Sequence, residues 1–272
     1  MSPRSRLALR RAVALGALHG PAELLPISSS GHVAVFPWLL GWEDDGLDDE
    51  LRKAFEVALH AGTAAALLIT LRDEVLEAGR GLDRRRLMLI ALSLAPPAVA
   101  GLALERPIEE RLGTPGSVAA GLLAGSVAMA LADRRPQLRR HEQAGAFDGL
   151  WLGIAQACAL IPGVSRNGAT LAAARFRGFT RPDANRLSRH AALPVIAGAT
   201  ALKGVRLWQR GVEPEARRAL AAGAVASFAS TLVSTWLIGQ VERDRSLMPY
   251  VLYRSGLAGM ICARLRHGRF PR

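Results

Sequence analysis

Glu23-Leu24-Leu25-Pro26-Ile27-Ser28-Ser29-Ser30-Gly31-His32 places a carboxylate, three hydroxyls, a glycine and an imidazole between two apolar runs, Ala12–Leu18 and Val33–Leu40. The plain reading is a helix start, since Ser ahead of an apolar run is a good N-cap. The surroundings ask for more. Leu7–Gly41 is apolar enough to enter a membrane, yet it is interrupted at Gly20-Pro21 and again over Pro26–Gly31. A polar break inside such a block predicts a re-entrant helix–loop–helix, because non-helical backbone at membrane depth survives only where protein or a watery cavity satisfies it.

The rest of the chain supports a membrane. Half of the 272 residues are hydrophobic, and they come in blocks: Ala54–Leu71, Leu87–Leu104, Pro115–Ala132, Leu187–Leu207, Ala216–Gly239 and Met248–Ala263. Each approaches the roughly 17–20 residues that cross a bilayer. Leu87–Leu104 and Pro115–Ala132 carry no charge, so they lack the polar stripe of a soluble amphipathic helix. The expected fold is an all-α polytopic membrane protein. It would be a single membrane domain over residues 1–272, with about six transmembrane helices.

The formal charge of +12 invites a nucleic-acid reading. However, the arginines sit between the apolar blocks, at Arg84–Arg86, Arg134-Arg135, Arg139-Arg140, Arg217-Arg218 and the Arg264–Arg272 tail. No aromatic-interleaved basic face accompanies them. Contact with anionic lipid headgroups explains the charge better, and no nucleic-acid partner is expected. Cys158 and Cys262 show neither metal spacing nor a disulfide framework. The basic start lacks a small-residue cleavage site, so no removable signal peptide is expected.

After the basic linker Asp133–His141 the pattern restarts. Gly149–Pro162 is apolar, Gly163–Thr170 interrupts it, and Leu171–Phe176 resumes. An offset of 137 lays Ser28 on Ser165, Gly31 on Gly168, Gly16 on Gly153 and Thr63 on Thr200. Two repeat halves, 7–132 and 147–265, are expected. Each would hold one re-entrant hairpin and three crossings, and an odd number of crossings inverts the second half. Inverted repeats of this kind bring broken helices together at the midplane. The loops at Arg72–Arg86, Asp133–His141, Arg177–Arg186 and Glu242–Arg245 would lie on one side, cytoplasmic by the positive-inside rule, with both termini opposite.

Facing one another, the two polar loops would make an anion site. Gly31 and Gly168 allow close backbone approach, Ser28, Ser29, Ser30, Ser165 and Thr170 offer hydroxyls, and Arg166 supplies a planar donor fork for phosphate. Glu23 beside a phosphate calls for a mediating cation or proton, and an oxygen-seeking ion such as Mg²⁺ or Ca²⁺ would reconcile them. His32 suits a general acid or a nucleophile.

Glu23–His32, together with Pro162-Gly163-Val164-Ser165-Arg166-Asn167-Gly168-Ala169-Thr170, resembles the bacterial undecaprenyl pyrophosphate phosphatase family, the bacitracin-resistance proteins. Phe55–Thr63, Leu193-Pro194 with Gly198-Ala199-Thr200, and Pro249 with Tyr253-Arg254 match in order, so the resemblance covers nearly the whole chain. It implies a multi-pass protein of the bacterial plasma membrane that removes one phosphate from a polyprenyl pyrophosphate lipid, recycling the carrier for cell-wall synthesis. By the same carry-over Ser29 or His32 is the nucleophile or acid/base partner, Glu23 the cation holder and Arg166 the pyrophosphate ligand. Ser28, Ser30, Gly31, Ser165, Asn167, Gly168 and Thr170 complete the substrate site. A homodimer is compatible with the family.

Two departures stand out. His19 occupies the position, four before Glu23, where the family usually carries a second acid, so the metal pair would be Glu23 and His19. Arg189-His190 stands where the family is usually apolar, and would either add anion affinity or snorkel at an interface. A non-hydrolytic polyprenyl-phosphate carrier or flippase with the same pocket is the main rival, and a small-anion transporter a lesser one. Bland readings accompany four further groups. These are a packed, hydrogen-bonded His60, a snorkelling or structurally paired Arg254, either an interhelical hydrogen bond or a reach into the cavity for Gln156, which aligns with His19 in the repeat, and a solvated acidic loop at Asp44–Glu50.

Overall fold

The computed structural model describes residues 9–42, 49–210, 214–243 and 246–267. The acidic stretch 43–48, residues 244–245 and the end of the arginine-rich tail lie outside them. Among the described residues the regular elements are helical. The first half holds α1 (Leu9–Leu24), α2 (Ser29–Leu39), α3 (Asp49–Thr70), α4 (Arg72–Arg80), α5 (Arg84–Leu112) and α6 (Pro115–Asp133). A 3-10 turn at His141–Gln143 leads into the second, with α7 (Ala146–Cys158), α8 (Arg166–Phe176), α9 (Arg181–Arg210), α10 (Pro214–Val233), α11 (Trp236–Arg243) and α12 (Met248–Arg266).

Two segments, Arg84–Leu104 of α5 and Pro115–Asp133 of α6, are long and apolar enough to cross a bilayer. A third candidate is the bent pair Ala216–Val233 and Trp236–Arg243, with a 51° change of direction. The α5 segment decides the environment. It is strongly apolar yet only 17% buried, and Val99 and Leu102 are 67% and 71% exposed. An apolar surface of that extent belongs in lipid. The chain is a helical membrane protein.

Sequence blocks and helices coincide closely, with three corrections. Gly20-Pro21 does not interrupt α1, which runs on to Leu24. Gly20 is there for approach, since a Cβ would lie 2.3 Å from Ser230 Oγ of α10. The Arg72–Arg86 linker contains a helix, α4, with Asp73 and Glu74 in its first turn and Arg80 in its last, the arrangement that suits the helix dipole. The block Ala216–Gly239 is broken after Val233 into α10 and α11.

Both hairpins turn through a serine in an uncommon conformation. Ser28 (φ 79°) caps α2 and Ser165 (φ 72°) caps α8, and each hydroxyl accepts the N–H of the glycine three residues on, Gly31 or Gly168. Positive φ in a non-glycine residue costs energy and persists only where surroundings enforce it. Glycine-lined seams hold the hairpins to the long helices. α1 lies on α10 and α7 on α5. A Cβ at Gly16 would meet Gly223 O at 2.4 Å, and one at Gly153 would meet Leu92 O at 2.5 Å. Small residues that let helices approach this closely are how membrane bundles gain packing.

The inter-helix loops expected on one side meet there, and Arg186 lies 3.2 Å from Glu77 of the Arg72–Arg86 linker. Arg181 of α9 binds Asp133 at 2.6 Å, Asp133 accepts from Ser246 Oγ and Leu247 N, and His141 pairs with Asp183 at 2.6 Å. Arg139 grips Asp148 with both terminal nitrogens, at 3.0 and 2.8 Å, and lies 4.2 Å above the Phe179 ring.

Candidate active site

The two hairpins meet tip to tip. Glu23, in the last turn of α1, is 8% exposed, and three groups from three places converge on it. Ser29 Oγ, at the start of α2, donates to Oε2, and Arg166 Nη2, at the start of α8, donates to Oε1. His60 of α3 brings Nδ1 to 4.0 Å from Oε2. Asn167 ties the loops further, its Nδ2 donating to Leu24 O at 2.9 Å and its Oδ1 accepting from Ser188 Oγ at 3.2 Å.

Behind Glu23 sits His19, one helical turn earlier and 1% exposed. Its ring packs edge-on against His60 with centroids 4.6 Å apart. His19 Nδ1 is 3.0 Å from Thr63 Oγ1 and 3.2 Å from Ser227 Oγ. His19 Nε2 is buried with no hydrogen-bond partner. One nitrogen from each of His19 and His60 and one oxygen of Glu23 all lie within 4.8 Å of one another, a group able to hold a metal ion. A second such group, His141, Glu142 and Asp183, lies in the loop cluster.

A narrow cleft opens from this head. Glu23, Arg166, Asn167, Asn185, Ser188 and Arg189 line it with polar groups, and Leu67, Leu71, Leu193, Ile196 and Ile238 give it an apolar wall. The shape is amphiphilic: a charged end between the hairpins and a greasy flank along α3, α9 and α11. Arg189 at the rim is held by Glu74 (3.1 Å) and Glu242 (2.7 Å), and His190 lies 2.9 Å from Glu74. Burial opposes ionisation of the Glu74 carboxyl. The hydrogen bond from His190 and the Arg189 guanidinium outweigh it and hold the group at about 2.

The structure brings together Glu23, Ser29, Arg166 and Asn167, with His19 in the metal-capable group behind them, and it gives the remaining expected site residues different partners. The hydroxyls of Ser28 and Ser165 are engaged as caps. Thr170 is fully buried, its Oγ1 donating to Arg166 O at 2.8 Å and lying 2.5 Å from Ser188 Oγ. Ser30 is partly exposed at the start of α2. Gly31 and Gly168 serve loop packing: a Cβ on Gly31 would meet Gly163 Cα at 3.5 Å, and one on Gly168 would meet Arg254 Nη1 at 3.0 Å. His32 is wholly buried, its Nδ1 2.6 Å from Ser28 O and its Nε2 2.7 Å from Tyr253 Oη. A carbonyl accepts only, so Nδ1 carries the proton and Nε2 accepts from the tyrosine. Gln156 makes the interhelical bond, Nε2 to Ser93 O at 3.0 Å.

Arg254 does more than snorkel or pair. It is 0% exposed and donates to Pro26 O of the first loop (3.1 Å), Gly163 O (3.0 Å) and Val164 O (2.9 Å) of the second, and Leu122 O of α6 (3.2 Å). One guanidinium thus fastens both hairpin tips to the bundle. Its signal was available in the sequence, as a lone arginine well inside an apolar helix. Asn185 and Ser188 were not marked as cleft residues, because their place depends on how α9 crosses the hairpins.

Fold and site together define a class: a helical membrane protein with a charged site closed between two capped hairpins and an apolar wall leading from it. The chain belongs to the family described as bacitracin resistance protein BacA, whose pattern matches residues 12–260. It is 38% identical over 270 residues to the undecaprenyl-diphosphatase of Geobacter sulfurreducens, covering 94% of this chain and 98% of that one. The undecaprenyl-diphosphatase of Pelobacter propionicus is 36% identical over 274 residues (96% and 98%), and that of Hahella chejuensis 33% over 261 (92% and 96%).

Proposed function

We propose that the protein hydrolyses undecaprenyl pyrophosphate to undecaprenyl phosphate and phosphate in the bacterial plasma membrane, recycling the lipid carrier of cell-wall synthesis. The observation that carries this reading is the Glu23–Ser29–Arg166 head at the end of an apolar-walled cleft. A lipid pyrophosphate has that same polarity, two phosphates on a long hydrocarbon. Relatives named undecaprenyl-diphosphatase at 33–38% identity support it.

Arg166 is the pyrophosphate ligand. Its Glu23 partner holds the guanidinium in place until phosphate oxygens take over its donors, a planar fork matching a planar edge. The starts of α2 and α8 add first-turn amides and the positive ends of two helix dipoles. Ser29 Oγ attacks the terminal phosphorus and its proton passes to Glu23, already hydrogen-bonded to it. The bond from that phosphorus to the bridging oxygen breaks, and undecaprenyl phosphate leaves with the electron pair. Glu23 passes that proton to the departing undecaprenyl phosphate. Water then attacks the phosphoserine, Glu23 takes the water's proton and returns it to Ser29 Oγ as the phosphorus–Oγ bond breaks, and phosphate departs. His32 is the other candidate nucleophile or acid/base group, poised through its Tyr253 hydrogen bond. A divalent cation at Glu23 and His19, when bound, would supply Lewis-acid neutralisation of the phosphate oxygens. Two nitrogen donors beside one carboxylate are a poor match for the oxygen-seeking Mg²⁺ or Ca²⁺.

The matched packing of α1 on α10 and of α7 on α5, with Ser28 and Ser165 in one rare conformation, supports an inverted repeat of two halves with six crossings (α3, α5, α6, α9, α10, α12). The clustered arginine loops support a cytoplasmic face at that side. Trapping the phosphoenzyme with labelled substrate tests the chemistry. Acid-stable label lost in Ser29→Ala supports Ser29, whereas acid-labile label lost in His32→Ala would transfer the nucleophile's role to His32.

A further inference from the structure

We propose that His19, Glu23 and His60 form a binding site for a borderline transition ion, Zn²⁺, in preference to Mg²⁺ or Ca²⁺. The donor set is two imidazoles and one carboxylate, and the third ligand comes from α3, a helix outside both hairpins. Three protein ligands of this kind with a fourth position open are the usual frame of a catalytic zinc site. Mg²⁺ and Ca²⁺ ask instead for six or more oxygens.

The second, independent observation is the tautomer of His19. Ser227 Oγ donates to Leu59 O at 2.9 Å, so towards its other neighbours it accepts. Thr63 Oγ1, 2.8 Å away, donates to it, leaving both hydroxyls as acceptors for a proton on His19 Nδ1. The lone pair then sits on Nε2, the buried nitrogen without a partner. A ring nitrogen fixed by hydrogen bonds so that the other can bind a metal is what an outer shell supplies. Glu23 is arranged the same way: Arg166 holds Oε1, while Oε2 is the oxygen nearer His60. Ser29 shares Oε2 and would lie beside the ion. Ligand atoms on a tetrahedral ion with bonds of about 2.05 Å stand about 3.4 Å apart, so the present limit of 4.8 Å closes by about 1.4 Å at most.

The proposal rests on the phosphatase reading only for the purpose of the ion, and binding is measurable without turnover. Full-length protein in detergent, stripped with chelator, would be dialysed against Zn²⁺ in the presence of millimolar Mg²⁺ and its metal content read by mass spectrometry. Co²⁺ would then replace Zn²⁺ as an absorption probe. One equivalent of Zn²⁺ is expected, with tetrahedral Co²⁺ bands. Affinity should fall on the order of 100-fold or more in His60→Ala, exceeding the 10–100-fold typical of outer-shell changes. His19→Gln should abolish the Co²⁺ bands. His141→Ala and a double Cys158→Ser, Cys262→Ser variant should bind as the parent does. Unchanged binding in a folded His60→Ala protein, loss in His141→Ala, or displacement by Mg²⁺ would each overturn the proposal. Phosphate release without Zn²⁺ binding would sink this site alone, and Zn²⁺ binding without release would sink the phosphatase reading alone.

Discussion

Replacing Arg254 by alanine should unfasten both hairpins at once. Three carbonyls, Pro26 O, Gly163 O and Val164 O, would lose this donor in a buried place, while Leu122 O keeps its bond from Ser126 Oγ at 2.7 Å. Each unsatisfied buried acceptor costs about 1–3 kcal/mol, so the gross loss is roughly 3–9 kcal/mol. Relief from burying a guanidinium, and water entering the space, bring the net nearer about 3–5 kcal/mol. At roughly 2–4 °C per kcal/mol that is about a 10 °C fall in the apparent Tm, compared in detergent at one scan rate. Activity should suffer more than stability, because Arg166 and Glu23 lie on opposite hairpins and displacement of catalytic groups by 1 Å can cost ~100-fold. Arg254→Lys, a single ammonium that cannot fork between both loops, should fall between parent and alanine. An Arg254→Ala protein with an apparent Tm within about 2 °C of the parent and kcat/KM within about twofold would refute this account of the hairpin tips.

Further expectations follow from the caps, the rim and the seams. Ser28→Ala and Ser165→Ala keep the strained φ and lose the cap, costing about 1–2 kcal/mol each. The glycine variants relieve φ and lose only a few tenths, so glycine should exceed alanine in thermal stability at both positions; the reverse order would contradict the cap reading. Glu74 is held at about 2 against roughly 4.3 in an unfolded chain, so its contribution is present above about pH 4.3 and disappears as pH falls towards 2. Allowing for its partial exposure this is on the order of 1–2 kcal/mol. Glu74→Gln should therefore be less stable than the parent at pH 6 and equal to it near pH 2, and a gap that persists at low pH would exclude the linkage. Gly16→Leu and Gly153→Leu should each prise a hairpin from its long helix, lowering the yield of monodisperse protein; normal behaviour would mean the seams are looser than their 2.4 and 2.5 Å hypothetical Cβ contacts indicate.

Much of the bundle was legible because apolar blocks of membrane length leave little choice of structure, and α6, Pro115–Asp133, differs by one residue from its block. Gly20-Pro21 misled because proline and glycine usually end helices. Here the glycine admits α10, and the helix continues past the proline. α4 was hidden by its charge, which reads as loop until its partners Arg189 and His190 are known. In the site, Glu23, Ser29 and Arg166 announced themselves by residue type, and their convergence follows from two loops meeting. What could not be read was the division of labour among the hydroxyls. Whether Ser28 meets a ligand or caps a helix depends on one φ angle. His60 was read as a packed residue, and its ring does pack edge-on against His19; which partner it meets depends on the azimuth of α3 about α1 and α10.

Phosphate release from undecaprenyl pyrophosphate by the purified chain in detergent, with Mg²⁺, Ca²⁺, Zn²⁺ and chelator arms and with Arg166→Ala alongside, tests the central claim most directly. Cation-dependent release by the parent, reduced at least 100-fold in a folded Arg166→Ala protein, is the result predicted for a site in which one guanidinium carries the pyrophosphate. Retained binding of the lipid with no release under any cation would contradict it, and would make the protein a carrier of polyprenyl phosphates that keeps the pocket without the hydrolysis.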